Sequence, residues 1–136
     1  MTNETLLNIK YAKLLYSAKT LTITDTGYSQ RDINRISDYA HKIADAYERA
    51  YQESSAYEDK KQSLHWRVTA EKWHYKDNSD DSHRRTYYER VREYNHFVRK
   101  NGELGIIIAE PIEHILCAFT VFWAIATLIV NAIPAA

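Results

Sequence analysis

The chain has 136 residues, one domain's worth, and carries 18 Lys plus Arg against 18 Asp plus Glu. A zero net charge excludes a global field that would gather nucleic acid or another acidic partner. A single cysteine, Cys117, excludes an intrachain disulfide framework and a multi-cysteine zinc site. With three Gly and two Pro there is little material for hairpins, and the expected class is all-α.

The balanced charge hides a segregation. Every Lys and Arg lies at or before Lys100. The polar part, residues 1–102, reads as an amphipathic helical domain, and residues 104–136 as a hydrophobic segment. Lys10, Lys13 and Lys19 interrupt the N-terminal stretch, which therefore lacks the apolar core of a signal peptide.

The first helix is expected over about 3–20, with Leu7, Tyr11, Leu14, Ala18 and Leu21 at helical spacing. Thr24-Asp25-Thr26-Gly27 has turn composition. Ser29 then has the character of an N-cap, with Asp32 three residues on as its capping-box partner.

No Gly or Pro follows until Gly102. Ile33, Ile36, Ala40, Ile43, Tyr47, Ala50, Ser54, Tyr57, Leu64, Val68 and Tyr75 keep up a three-four alternation, with exceptions at Lys61 and Glu71. This predicts one long helix over about 29–76 with a narrow seam, in a helical-hairpin or coiled-coil-like bundle. The seam residues expected to carry helix–helix interaction are Ile33, Ile36, Ile43, Tyr47, Tyr57, Leu64 and Val68. Trp66, Ala70 and Trp73 fall on the opposite side from Leu64, Val68 and Tyr75, so the end of this helix should be covered on both sides. A polar turn at 77–82 leads to a helix over about 82–100, with Tyr87, Val91, Tyr94 and Val98 on its apolar face. Asn101-Gly102 closes it.

From Ile115 to Ile133 there is no charged residue. Nineteen such residues rise roughly 28 Å as a helix, close to a bilayer's hydrocarbon thickness. The ten Leu, Ile, Val and Phe residues between Ile112 and Val130 favour insertion by about 3–6 kcal/mol. The expectation is a single-pass transmembrane helix over about 112–133, a C-terminal tail anchor. Arg99 and Lys100 precede it and nothing basic follows, which puts the N-terminal helices in the cytoplasm. Cys117, Thr120, Ala124, Thr127 and Asn131 form a small or polar stripe along it. In lipid such a stripe is a packing face for another helix or the lining of an oligomeric pore.

Two Glu-x-x-His pairs, Glu71/His74 and Glu93/His96, have the spacing that carboxylate-bridged metal bundles use. Glu93 and His96, however, lie on the polar face of their helix. No Gly-rich phosphate loop, nucleophile triad or zinc spacing is present. No catalytic, cofactor or metal residues are assigned, and nucleic acid is not expected as a partner. The basic run Arg84, Arg85, Arg90, Arg92, Arg99 and Lys100 suits solvent or lipid headgroups.

The sequence points to a non-catalytic, membrane-anchored helical protein. Its expected role is an accessory or assembly subunit, or a scaffold, touching membrane lipid and either protein partners or further copies of itself through the long helix and the C-terminal helix. The alternative is a pore-forming or membrane-disrupting effector whose C-terminal helix oligomerises.

Overall fold

Four α-helices in chain order, α1 Asn3–Thr26, α2 Gln30–Ser54, α3 Tyr57–Asp77 and α4 Asp81–Arg99, make up the computed structural model. The residues described are 1–26, 29–77 and 80–108, and among them there is no strand. The chain divides into two compact units, Met1–Ile106 and Ile107–Ala136, and all four helices belong to the first.

α2 packs against both α1 and α3, and its composition allows it. Its start is fixed as the sequence leads one to expect. The Ser29 side chain accepts from the Asp32 backbone N–H while the Asp32 carboxylate accepts from Ser29, a complete capping box. Ile33, Ile36, Ala40, Ile43, Ala44 and Ala50 are fully buried along one side. Alanines among the isoleucines let neighbouring backbones come close. Across the contact the Ser63 hydroxyl of α3 donates to the Ala44 carbonyl at 2.9 Å, with both residues fully buried.

The single long helix expected over 29–76 does not form. The chain reverses at Ser55, which adopts the left-handed conformation (φ 54°, ψ 22°) and donates its N–H to the Tyr51 carbonyl. α2 and α3 therefore pack on each other as a hairpin. The physical reason lies in two consecutive serines. The Ser54 hydroxyl shares its one proton between the Ala50 carbonyl behind it and the Asp59 carboxylate ahead, and accepts from the Ala56 N–H. Such local bonds compete with helix propagation. A seam that looks like a coiled-coil edge is thus filled from within one chain.

Ser55 is a non-glycine residue at positive φ, a conformation that favours Gly. Ser55→Gly is expected to raise the thermal midpoint, by up to about 1 kcal/mol of stability, and Ser55→Val to lower it. Equal midpoints for both variants by circular dichroism would contradict this account of the turn.

α3 is covered on both sides, as its two apolar stripes suggest. Toward α1, Trp66 meets Tyr16 edge-on at 5.0 Å and the Trp73 indole N–H donates to the Tyr16 hydroxyl. Toward α4, Tyr75 stacks on Tyr87 and Tyr57 stacks on Phe97. α4 begins at Asp80, whose carboxylate accepts from the His83 N–H. It ends in a turn in which Gly102 has φ +82° and the Glu103 N–H returns to the Val98 carbonyl.

Beyond that turn the chain is clamped to α4. The Asn95 amide donates to the Ile106 carbonyl at 2.9 Å and accepts from the Ile106 N–H at 2.7 Å. Gly105 has φ +85°, and a Cβ there would collide with the Asn95 side chain. Both properties require glycine.

Candidate interaction surfaces

The seven seam residues are already engaged in the fold. Ile33, Ile36 and Ile43 are fully buried and Val68 nearly so. Tyr47 packs against Ile9, Ala46 and Ala50, and takes a hydrogen bond from Lys13. Tyr57 donates to Glu103. Leu64 is half-buried. These residues hold the hairpin and its neighbours together and offer no continuous outer seam. The stripe Cys117, Thr120, Ala124, Thr127 and Asn131, and the expected span 112–133, lie outside the described residues. No described helix is long and apolar enough to cross a membrane.

The two Glu-x-x-His pairs are drawn into other contacts. Glu71 faces His41 at 3.6 Å, and His74 stacks on His83 with ring centroids 5.5 Å apart. Glu93 pairs with Arg90. Among the described residues no group of three or more potential metal ligands converges.

Among the described residues, two helix faces of opposite chemistry stand open. The first is on α1, and it reverses the sequence expectation. α1 rests on the bundle through Thr5, Ile9, Ala12 and Ile23, which are buried, with Tyr16 reaching α3. Leu7, Tyr11, Leu14 and Leu21, the residues expected to face the core, are 64, 65, 66 and 71% exposed. Both stripes have helical spacing. The smaller one is chosen because it meets small residues of α2: Ile9 fits against Ala46 and Ala50, where a row of leucines would hold the helices apart.

The second open face is a basic ridge on α4. Arg85, Arg92 and Arg99 recur every seven residues, with His96 and Lys100 beside them, and all five are exposed. Arg92, Asn95, His96, Arg99 and Lys100 line a shallow groove of about 550 Å³. Arg84 and Arg90 are held by Asp81 and Glu93, whereas neither Arg85 nor Arg92 has a carboxylate within ion-pair distance among the described residues. The sequence does show this signal, once the acids that neutralise Arg84 and Arg90 are assigned.

Between these faces the helices are laced by carboxylates held in their charged form. Asp32 is lowered to about 2 from an ordinary 3.8, chiefly by its hydrogen bond from Lys19 and then by the Ser29 N–H. Glu53 is lowered by the Thr2 N–H and the Thr5 hydroxyl, which tie the start of α1 to the end of α2. Glu103 is lowered by Lys61 and Tyr57, and Glu71 by His41. A carboxylate whose folded pKa lies below its unfolded one adds stability above the unfolded value, and this is lost as pH falls through the folded value. The thermal midpoint should therefore fall as pH drops below about 4.5, with the Asp32 contribution persisting to about 2. Glu53→Gln should have a lower midpoint at neutral pH and a flatter acid limb. Parallel limbs for the two proteins in melts from pH 6 to pH 2 would contradict this.

Comparison with protein-family models, curated proteins and solved structures gives no match.

Proposed function

We propose that the chain is a non-catalytic, membrane-anchored helical protein that serves as an accessory or assembly subunit by presenting helix faces to partners. The observation that carries this reading is the unneutralised basic ridge Arg85–Arg92–Arg99. It occupies the helix that, in sequence, leads into the uncharged stretch Ile115–Ile133. A basic face next to an apolar stretch of membrane length is the arrangement that anionic headgroups and the positive-inside rule both favour. In this reading residues of about 112–133 cross the bilayer once and the four helices lie on the cytoplasmic side. The groove of Arg92, Asn95, His96, Arg99 and Lys100 then faces headgroups.

Alkaline carbonate treatment of membranes from cells expressing the full chain tests it. Retention in the pellet is expected, and release into the supernatant would overturn the reading. A charge-reversed ridge, Arg85→Glu with Arg92→Glu, is expected to leave the pellet fraction unchanged but to weaken binding of the detergent-free protein to anionic vesicles. A membrane-potential dye separates the pore alternative. Depolarisation that vanishes with Thr120→Leu plus Thr127→Leu would replace the scaffold reading with the pore.

A further inference from the structure

We infer that the outward face of α1 is a self-association seam, and that its occupant is the same face of a second copy of this chain. Membrane anchoring is not required for it.

Leu7, Tyr11, Leu14, Ala18 and Leu21 follow one another by four, three, four and three residues. That is a strict two-position heptad, with leucine at every d position and Tyr11 and Ala18 at a. A globular helix that rests on a core shows a broader apolar face, whereas a strip limited to a and d is the pattern of a helix-to-helix seam. On α1 the broad contact is already made on the other side, through Ile9, Ala12, Tyr16 and Ile23. The heptad strip is a second apolar face, diametrically opposite. A helix apolar on both sides is ordinarily covered on both.

The flanks agree with a copy of the same helix. The e positions are Asn8, Leu15 and Thr22, and the g positions between Leu7 and Leu21 are Lys10 and Ser17. Lys10 is the only charge among them. In a parallel pair it stands beside Leu15 of the other helix, and in an antiparallel pair beside Ser17. Neither arrangement opposes like charges at the e and g positions of α1. A two-fold interface needs such a self-complementary strip.

The area is sufficient, though not large. At their observed exposures the strip leaves on the order of 500 Å² of side chain uncovered per copy, in the size range of a monomer's largest apolar patch. Two copies would bury at most about 1,000 Å² in all, the size of a weak or transient interface. The expected dimer is therefore reversible and concentration-dependent.

The test uses the full chain in a mild detergent, with mass measured by light scattering across a concentration series. The wild type is expected to move from monomer to dimer. Leu14→Glu and Leu14→Lys, at the middle of the strip, should each weaken association more than tenfold with helix content unchanged. An equimolar mixture of the two variants should dimerise again, because opposite charges then meet at the seam. A wild type that stays monomeric at every concentration would overturn the inference, as would a dimer indifferent to both substitutions. A monomer whose helix content falls with Leu14→Glu would place the occupant within the chain. Loss of vesicle binding without a change in mass would make it lipid. Either result also overturns the inference. None of these readouts depends on carbonate extraction, so the two proposals fail separately.

Discussion

Ile43→Asp should leave the chain without a cooperative unfolding transition. Ile43 is fully buried near the middle of α2, in a row with Ile36, Ala40 and Ala44. Truncation to Ala alone would cost about 2–5 kcal/mol, from lost transfer energy and the cavity left behind. Aspartate adds a charge at a fully buried position, a further penalty of several kcal/mol. A domain of this size has on the order of 5–15 kcal/mol to lose. Ile43→Ala should thus remain folded with a reduced midpoint, and Ile43→Asp should not. Circular dichroism at 222 nm through a thermal ramp reads both. A cooperative melt for Ile43→Asp near the wild-type temperature would remove Ile43 from the core.

Ala44→Leu comes next in size, and it tests packing rather than polarity. The residue has no exposed surface, and its carbonyl accepts the Ser63 hydroxyl across the α2–α3 contact. Three added carbons have no space between backbones this close, and overpacking of that kind costs about 1–3 kcal/mol. If the helices part, the Ser63 hydroxyl loses its acceptor in a buried site, for about 1–3 kcal/mol more. Gln52→Leu places the same side chain at an exposed position of the same helix, where nothing crowds it, and should be near neutral. The comparison is made as denaturant midpoints at unchanged slope. Equal midpoints for Ala44→Leu and Gln52→Leu would show that the hairpin is looser than its hydrogen bond implies.

Much of this architecture can be read from residue spacing, and the failures have definite causes. The capping box at Ser29 and Asp32 depends on residues three apart, and local chemistry decides it. The two-sided burial of α3 follows from Trp66 and Trp73 opposing Val68 and Tyr75, since large aromatics on both sides of a helix have to be covered. The turn at Ser55 is hidden because the apolar period continues through it. Ser54 and Tyr57 take seam positions on the two sides of the break, and serine is a weaker stop signal than Gly or Pro. α1 is inverted for a different reason. Its two stripes share the helical period, and size favours the leucines, whereas the choice belongs to the alanines of α2. Asn95 gives no sign at all. Its role depends on a backbone segment eleven residues away that returns to it only after the turn at Gly102.

The turn at Ser55 also bears on the number of topologies these residues can support. The apolar repeat of α2 runs into α3 in phase, so the hairpin and a continuous rod would present nearly the same strip. What separates them is the backbone of Ser54, Ser55 and Ala56, held by a few short hydrogen bonds. Straightening that hinge would release α3 and α4 together, and another molecule's α2 could receive them with the helix-to-helix contacts outside the hinge preserved. Short connections of this kind are where protomers exchange elements. A glycine at position 55 would therefore also guard against interlocked dimers, by making the reversal the lower-energy geometry.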